Sequence, residues 1–320
     1  MTRAPEVSVV MSAYNSADSL VQTLDSVLDQ EGINLEFIVV NDGSSDGTGE
    51  LLDNRAKADA RLKVIHQKNT GLTMALVKGC QQARGRFIAR QDAGGDISLP
   101  GRLFQQADFL KSHPDAVMVS CGTRFVGPDD QFLFDVVMND QELATGLSTL
   151  KIPGIKGPSS HPSAMFTRDA YEKCGGYRPV FVVAQDIDLW LRMFELGPCL
   201  TLPEVLVQAR YSLGISSRLR TQQQAFCEIA IDRARCRRKG LPEPEISVSE
   251  RSWAIVGQTI DPNETAKLHY FLGSCLLPQD PKRARTHLLQ AIRAKPTHVR
   301  ALMRVIQSFF PWYKGNYGKH

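Results

Sequence analysis

Residues 1–120 predict an α/β fold built on a mostly parallel sheet with helices on both faces. Short apolar runs rich in β-branched residues alternate there with longer segments whose apolar residues recur at helical spacing. The apolar runs lack polar alternation, which is typical of strands buried on both sides in a parallel sheet. At 320 residues, the chain is long enough for one such domain and a smaller appendage.

The predicted elements of this region follow one another in a regular order. Strands are expected at 7–11, 35–40, 62–66 and 87–89, with the last continuing to Asp92, and helices at 17–30 and 71–83. A further helix should pass through Leu51 and Leu52, with Ser45 or Asp46 as its cap. The loops that follow parallel strands all lie at one edge of a sheet, which is where such folds bind ligands.

The second half of the chain is predicted to be less regular. Residues 140–163 are expected to form a loop, and 241–245, Leu-Pro-Glu-Pro-Glu, a linker. Between them, a helix over 186–196 should bury one stripe of side chains: Leu189, Trp190, Met193 and Phe194.

Two amphipathic helices over 266–277 and 281–294 resemble a tetratricopeptide repeat. They would contact each other through six apolar residues: Leu268, Phe271, Leu272, Leu288, Leu289 and Ala291. One repeat cannot bury its own apolar face, so we expect this pair to dock on its neighbour or on a protein partner. The predicted division of the chain is therefore a domain over 1–220 and a helical extension over 221–320, with the helix pair at about 264–296.

Composition and charge exclude several classes of protein. The chain is 42% hydrophobic and 22% charged, it has no apolar run of membrane-spanning length, and its first residues lack the core of a signal peptide. Seven cysteines without a Cys-x-x-Cys pair predict reduced thiols in the cytoplasm and argue against a zinc site. The net charge of +4 is too small to indicate binding of nucleic acid.

The basic residues do cluster in one part of the chain. The cluster consists of Arg218, Arg220, Arg233, Arg235, Arg237, Arg238 and Lys239. It is either a solvated helix face or a contact for anionic lipid or an acidic substrate. The segment 309–314, Phe-Phe-Pro-Trp-Tyr-Lys, either packs in a core or adds a peripheral contact with the inner face of the membrane.

Polar residues stand where the predicted strands end. They are Tyr14 and Asn15, then Asn41 and Asp42, and finally Arg90 with Asp92. Asp96 follows Asp92 across two glycines, so the turn carries two carboxylates. Such a turn suits a hard divalent cation with a phosphorylated ligand, although a Gly-rich turn without any chemistry is the alternative.

Several ordered segments resemble the family 2 glycosyltransferases with the GT-A fold. The segments are Val-Ser-Val-Val-Met-Ser-Ala-Tyr-Asn (7–15), Val-Asn-Asp-Gly-Ser-Ser-Asp-Gly-Thr (40–48), Asn69-x-Gly71, Ala-Arg-x-Asp-Ala (89–93), His-Pro-Ser-Ala-Met (161–165), Gly-Gly-Tyr-Arg (175–178) and Ala-Gln-Asp-Ile-Asp-Leu-Trp-Leu-Arg (184–192). Together they span roughly residues 5–220. The resemblance implies a donor that is a nucleotide diphosphate sugar, commonly of uridine.

The resemblance also implies which residues bind the donor. These are Ala13, Tyr14, Asn15, Asp42, Asn69, Gly71, Arg90 and Asp92. Tyr14 could stack on the base, and Asp42 could accept a hydrogen bond from a base N–H or be an Asx-turn residue. Asn69 and Gly71 would lie under the donor, or they would cap the following helix.

The family places Mn²⁺ or Mg²⁺ against the donor diphosphate, and here Asp92 and Asp96 are the candidate ligands. The usual second carboxylate, two residues after the first, is replaced by Gly94. Either the glycines let Asp96 reach the ion, or Asp92 serves alone with water and phosphate, or the metal site is lost.

Asp186 holds the position of the family's general base, which deprotonates the acceptor hydroxyl as that oxygen attacks the anomeric carbon with inversion. Burial near the diphosphate should raise its pKa, and a helix N-cap is its alternative role. Asp188 is expected to be a cap or a structural residue. His161 and Arg178 would lie on the acceptor or phosphate side, unless His161 is structural and Arg178 forms a surface salt bridge.

We therefore expect a metal-assisted, inverting glycosyltransferase of the cytoplasm that extends a surface glycan or a lipid-linked oligosaccharide by single sugars. The signature of the processive synthases is missing. Gly94, Gln185 and Ser212 depart from the family at polar site positions. They leave open a nucleotide-sugar-binding protein without activity, or an assembly protein that acts through its C-terminal helices.

Overall fold

The computed structural model describes residues 4–211, 220–246 and 262–310, and for residues 220 and 221 it describes the backbone alone. These residues form two compact units. The first contains those within 1–124, 135–209 and 221–253, and the second those within 125–134, 210–220 and 254–320. The division at residue 220 thus remains a prediction from the sequence.

The first unit begins with the predicted alternation of strands and helices. Its elements are β1 (Val7–Ala13), α1 (Ala17–Leu28), β2 (Leu35–Asp42), α2 (Thr48–Ala58), β3 (Leu62–Gln67), α3 (Leu72–Gln81) and β4 (Phe87–Asp92). The strands lie in the order β3-β2-β1-β4, and all three pairings are parallel. The prediction of an α/β class with a buried parallel sheet is confirmed for this half.

The rest of the sheet contains antiparallel pairings, which the sequence did not indicate. The elements that follow are β5 (Ile97–Ser98), α4 (Arg102–Ser112), β6 (Met118–Val126), β7 (Phe132–Val136), α5 (Asp140–Ser148), a 3₁₀ turn (His161–Ser163), β8 (Met165–Thr167), α6 (Arg168–Lys173), α7 (Gln185–Phe194), β9 (Cys199–Arg210) and α8 (Arg220–Arg238). β8 pairs antiparallel with both β4 and β6, and the order continues β4-β8-β6-β9-β5. The sheet is therefore mixed.

The expected loop over 140–163 is wrong for its first part, where α5 lies. The Asn139 side chain accepts a hydrogen bond from Glu142 N (2.9 Å), and the Glu142 carboxylate accepts one from Asn139 N (3.0 Å). This capping box satisfies two N–H groups that a helix start would otherwise leave without partners. Leu143 and Leu147 stand four residues apart and are fully buried. Both features are present in the sequence, but the glycines and prolines around them led to the prediction of a loop.

Helices cover both faces of the sheet, as predicted. On one face, Leu20 and Leu24 of α1 pack with Met11 and Phe37. On the other, Leu76 of α3 and Trp190 of α7 pack with Val10, Ile38 and Phe166. Neighbouring residues of a strand point to opposite faces, so fully apolar strands feed both layers. Each such buried side chain contributes roughly 1.5–3 kcal/mol of transfer free energy.

The second unit contains three helices, α9 (Pro262–Leu276), α10 (Pro281–Ala294) and α11 (Val299–Gln307). The first two confirm the predicted helix pair, whereas its assignment as a tetratricopeptide repeat stays a prediction. Leu272 and Leu276 of α9 pack with Ala284 of α10 and with Leu133. Leu289 was predicted to be a contact residue, and this is wrong because its side chain is 45% exposed.

The remaining predictions concern the linker, the basic and aromatic segments, and membrane-spanning helices. The segment 241–245 has no regular structure, but Glu243 bonds three arginine side chains, so it is held in place rather than being a free linker. Ser212, Arg218, the side chain of Arg220 and residues 311–314 lie outside the described residues. Among the helices that the structure describes, none has the length and apolar character needed to span a membrane.

Candidate active site

The carboxyl ends of β1, β2 and β4 lie side by side. Ala13 is paired with Asn41, and Ser12 is paired with Asp92. This register brings Tyr14, Asn15, Asp42 and Asp92 to one edge of the sheet. The Tyr14 side chain is 52% exposed, so its ring is available for stacking on a ligand, while Ala13 is buried and offers only its backbone.

The turn after β2 is bonded to the turn after β1. Asn15 N donates to Ser44 Oγ (3.0 Å), and Ser45 N donates to Asn15 Oδ1 (2.8 Å). Asn15 itself has a positive φ of 47°, a conformation that asparagine tolerates better than most residues. Asp46 accepts bonds from Ala17 N (3.0 Å) and from Thr48 N (3.1 Å). The two turns therefore form one rigid surface.

Of the two predicted caps for α2, Asp46 bonds the first turn of the helix through Thr48, although Gly47 is the residue that directly precedes it. Among the described residues, no hydrogen bond joins the Ser45 hydroxyl to α2, and the Ser45 N–H donates to Asn15 instead. Gly47 has a φ of 90°, which suits glycine.

A chain of hydrogen bonds that the sequence did not indicate supports this surface. Ser44 N donates to Asn41 Oδ1 (3.1 Å), Asn41 Nδ2 lies 3.0 Å from His66 Nδ1, and His66 Nε2 lies 2.9 Å from Asp53 Oδ1. The amide donates to Nδ1, and Nε2 in turn donates to the carboxylate. His66 and Asp53 thus help to orient the turn that begins at Gly43.

Asp42 is buried and holds the loop that contains Asn69. Its carboxylate accepts bonds from Gln67 Nε2 (2.7 Å), Thr70 N (2.8 Å) and Gly71 N (2.8 Å). A Cβ on Gly43 would come within 2.6 Å of Asn69 N, so only glycine permits this approach. Gly71, with a φ of 89°, directly precedes α3, and no side chain caps that helix. The capping alternative is therefore wrong for Asn69, whereas Gly71 occupies the N-cap position of α3.

Arg90 lies inside the protein, and no part of its side chain is exposed. Nη1 donates to the carbonyls of Val10 and Gln91, Nη2 to Asp92 Oδ1, and Nε to His161 Nε2 (3.1 Å). The sequence predicted that Arg90 contacts the donor directly. In the structure its side chain lies inside the protein and bonds protein groups instead. Arg90 orients Asp92 and His161 instead.

The two predicted metal ligands have different environments. The Asp92 side chain is 36% exposed at the end of β4, whereas Asp96 is only 9% exposed. The Asp96 carbonyl accepts a bond from Gln91 Nε2 (2.8 Å), which ties this part of the turn to the interior. A Cβ on Gly94 would meet nothing within 4 Å. Within the described parts of the chain, no three His, Cys, Asp or Glu side chains group to hold a metal ion.

Asp186 lies in the first turn of α7 and is partly buried. Ala184, with a φ of 56°, precedes the helix, so Asp186 is not the N-cap. Burial raises the pKa of the Asp186 carboxyl, and the negative charge of Asp92 raises it further. A hydrogen bond from Ile187 N (2.9 Å) and the Arg90 charge oppose this pKa shift without cancelling it.

Tyr177 is a site residue that the sequence prediction missed. It is 3% exposed, and its hydroxyl lies 2.8 Å from His161 Nε2. The His161 ring also packs edge-on against Trp190. Burial, assisted by Arg90, lowers the pKa of His161 well below 6.5, so the ring is neutral. The motif Gly-Gly-Tyr-Arg contained Tyr177, but only its neighbour Arg178 was singled out.

Arg178 is engaged away from these groups. Its guanidinium donates to both carboxylate oxygens of Glu243 (2.7 and 3.0 Å) and lies 3.5 Å from Asp188 Oδ1. The salt-bridge alternative therefore describes it, rather than a place among the phosphate-side groups. Asp188 also bonds Arg192 and is 1% exposed, which confirms its structural role.

Known proteins resemble this chain over much of its length. The family model described as "Glycosyl transferase family 2" matches residues 8–175. EpsE from Bacillus subtilis (strain 168), named as a glycosyltransferase, is 36% identical over 204 residues, which is 62% of this chain and 69% of EpsE. The amylovoran biosynthesis glycosyltransferase AmsE from Erwinia amylovora is 29% identical over 209 residues, 63% of this chain and 75% of AmsE.

Solved structures share the fold. The mannosyltransferase PcManGT from Pyrobaculum calidifontis, in complex with GDP-Man and Mn²⁺, superposes with a TM-score of 0.56 at 19% identity over 98% of this chain and 82% of that one. Residues 1–349 of TarS from S. aureus, in complex with UDP-GlcNAc, give a TM-score of 0.53 at 14% identity over 95% of this chain and 89% of that one. At these identities the likeness concerns the fold alone.

Proposed function

Because the chain belongs to glycosyl transferase family 2 and is a glycosyltransferase with the GT-A fold, we propose that it transfers a sugar from a nucleotide diphosphate sugar to a hydroxyl of a glycan or lipid-linked acceptor, with inversion. The observation that carries this proposal is that Asp186, in the first turn of α7, lies near enough to Asp92, at the carboxyl end of β4, for the charge of Asp92 to raise its pKa. The Asp92 carboxylate is exposed next to the turns after β1 and β2, and the Asp186 carboxylate is partly buried and has a raised pKa.

The nucleotide would bind on the joined turns after β1 and β2. The exposed Tyr14 ring would stack on the base, and backbone groups of Ala13 and Asn15 would line the ribose side. Asp42 would accept a bond from the base in addition to those that it accepts from its own loop. We favour a uridine donor, and the TarS complex with UDP-GlcNAc supports this choice.

Asp92 would hold Mn²⁺ or Mg²⁺ against the diphosphate. The residues fit such an ion, because Mg²⁺ in nucleotide enzymes is bound by one or two carboxylates together with substrate phosphates rather than by a full protein cage. The PcManGT complex, which contains GDP-Man and Mn²⁺, supports this proposal. When bound, the ion would supply positive charge that stabilises the leaving diphosphate. The near burial of Asp96 favours Asp92 as the ligand.

Asp186 would be the general base. A carboxylate of ordinary pKa is a weak base, and burial beside Asp92 makes this one stronger. Similarity to the amylovoran biosynthesis glycosyltransferase supports a role in the biosynthesis of a surface polysaccharide. Contact with an anionic membrane gains little support, since Arg233, Arg235, Arg237 and Arg238 all form ion pairs within the protein.

The test is to incubate the protein with a panel of uridine and guanosine diphosphate sugars and Mn²⁺, and to follow donor hydrolysis and transfer. Asp186→Asn should retain donor binding and lose turnover. Asp169→Asn is the matched control, because Asp169 is 72% exposed on α6 and should leave turnover unchanged. Asp92→Asn should lose the Mn²⁺-dependent part of donor binding, while Asp96→Ala should keep it.

Equal turnover by the wild type and Asp186→Asn would reject the assignment of the base. Donor binding by the wild type without turnover on any acceptor would favour the alternative of an inactive nucleotide-sugar-binding protein. The departures at Gly94 and Gln185 are the observations in favour of that alternative.

A further inference from the structure

The two ring nitrogens of His161 have different surroundings. Nε2 faces two hydrogen-bond donors of the protein, and Nδ1 is open to solvent. Nε2 lies 3.1 Å from Arg90 Nε and 2.8 Å from the Tyr177 hydroxyl. A guanidinium can only donate hydrogen bonds, so Nε2 must carry the lone pair and accept. The proton of the neutral ring is therefore on Nδ1, and the Tyr177 hydroxyl donates as well.

The groups that impose this tautomer are themselves fixed. Arg90 is fully buried and also bonds the carbonyls of Val10 and Gln91. Arg102, equally buried, donates to the Arg90 carbonyl (2.8 Å) and to the carbonyl of Pro162, next to His161. The ring is thus held from β4 on one side and from its own loop on the other, with little freedom to flip.

Nδ1 is the available nitrogen. Among residues 4–211, 220–246 and 262–310, none forms a hydrogen bond with it, and it is not one of the described side-chain atoms that are buried without a partner. Solvent can therefore reach this N–H. The same Arg90 side chain that holds this ring also bonds Asp92. A donor that is held rigid and left to solvent at this place suits an oxygen of a substrate.

We propose that His161 binds substrate as a neutral hydrogen-bond donor through Nδ1–H, with Arg90 and Tyr177 as the positioning residues that fix its tautomer. The proposal rests on the proposed function, since it needs a sugar donor or an acceptor as the substrate. The oxygen it bonds is a hydroxyl or a phosphoryl oxygen. Because Nε2 is occupied and the ring stays neutral, His161 does not exchange protons with the substrate.

Two substitutions separate the two nitrogens. In His161→Asn the amide takes the place of Nδ1 and can still donate to the substrate, but Arg90 and Tyr177 lose their acceptor. In His161→Gln the amide reaches the place of Nε2 and can still accept from them, but the substrate loses its donor. We expect His161→Gln to lower kcat/KM about tenfold, the effect of one neutral hydrogen bond, and His161→Asn to lower it less. His113→Gln, on an exposed histidine, is the matched control.

Calorimetry with UDP-GlcNAc, GDP-Man and Mn²⁺ shows which substrate carries the oxygen. Weaker donor binding in His161→Gln assigns it to the donor, whereas unchanged donor binding with slower transfer assigns it to the acceptor. A smaller loss in His161→Gln than in His161→Asn, at equal folded fraction, would overturn the proposal.

The tautomer has a readout that requires no substrate. In ¹⁵N NMR of the full chain without ligand, His161, identified by the signals missing from His161→Gln, should show a protonated Nδ1 and an unprotonated Nε2 that do not titrate between about pH 5.5 and 8. A ring protonated on Nε2, or one that titrates near its ordinary pKa, would contradict the proposal. If the wild type binds and turns over no nucleotide sugar, the proposed function fails, while this spectrum still decides the tautomer.

Discussion

Asp186 shows how a single carboxylate can be placed at some cost to the folded state. It is partly buried in the first turn of α7, and burial followed by the charge of Asp92 raises its pKa. A raised pKa in the folded protein means that ionisation of the carboxyl opposes folding at neutral pH. The same property makes the carboxylate a better base. Function and stability therefore make opposite demands on this residue.

We predict that Asp186→Asn loses about 10²–10⁴ of the transfer rate and none of the stability. At pH 7 its free energy of unfolding should equal or exceed that of the wild type, because the neutral amide avoids the buried charge. The difference should vanish below about pH 3.8, where the carboxyl is protonated in both the folded and unfolded states. Urea titrations at several pH values measure it.

The wild-type rate should itself fall as the pH decreases through the raised pKa of Asp186, since only the ionised form accepts the proton. A rate that stays level from pH 7 to below 4 would contradict this assignment. So would a clear loss of stability in Asp186→Asn.

At the same scale, some site residues could be predicted from the sequence and others could not. Asp92 and Asp186 stand in motifs whose neighbours in the chain are informative. Tyr177 and His66 acquire their places only through partners 16 and 25 residues away, His161 and Asn41. No local pattern encodes such a contact.

Among the elements, the segment 241–246 stands out because it has no regular structure and yet is held firmly. Glu243 accepts bonds from Arg178, Arg233 and Arg237, which come from the loop before α7 and from α8. Burial of this carboxylate alone would raise its pKa, but the hydrogen bonds from the arginines prevail and bring it to about 2. The segment thus connects α8 to the loop that carries Arg178.

We predict that Glu243→Gln lowers the free energy of unfolding at pH 7 by about 2 kcal/mol, because three cations lose their carboxylate. Since the folded pKa is lowered, this contribution is complete above about pH 4.5 and declines as the pH falls toward 2. Chemical denaturation at pH 7 and pH 3 measures both values.

Glu245→Gln is the matched control, because Glu245 lies in the same segment and is exposed. It should change the stability by less than about 0.5 kcal/mol. An equal effect of the two substitutions, or a Glu243→Gln effect that does not diminish in acid, would show that the arginine contacts contribute little.

On the scale of the whole molecule, the chain has more than one core. The first unit buries apolar residues on both faces of its sheet. The second buries Leu272, Leu276 and Ala284 together with Leu133, which comes from a distant part of the chain. Phe134 and Phe271 meet edge-on in the same unit (5.9 Å between ring centroids). Units with separate cores are expected to unfold in separate steps.

We predict two unfolding transitions, of which nucleotide with Mn²⁺ raises only one, because a ligand stabilises the unit that binds it. Leu272→Ala should lower the free energy of unfolding in the other transition by about 2–5 kcal/mol, the usual cost of such a cavity. Leu289→Ala, on the exposed side of α10, should leave both in place. Calorimetry with and without UDP and Mn²⁺ tests this. A single transition that responds to both ligand and Leu272→Ala would contradict it.

The sequence by itself determined the alternation of strands and helices, the polar residues at the strand ends, and Asp92 and Asp186 as candidate site residues. These features depend on periodicity and on neighbours in the chain, so they can be recognised locally. Only the tertiary structure decided that Asp96 is nearly buried, that Arg90 is internal, that Arg178 pairs with Glu243, and that residues 125–134 belong with the C-terminal helices. Burial and pairing are set by residues far apart in the chain, and no local pattern specifies them.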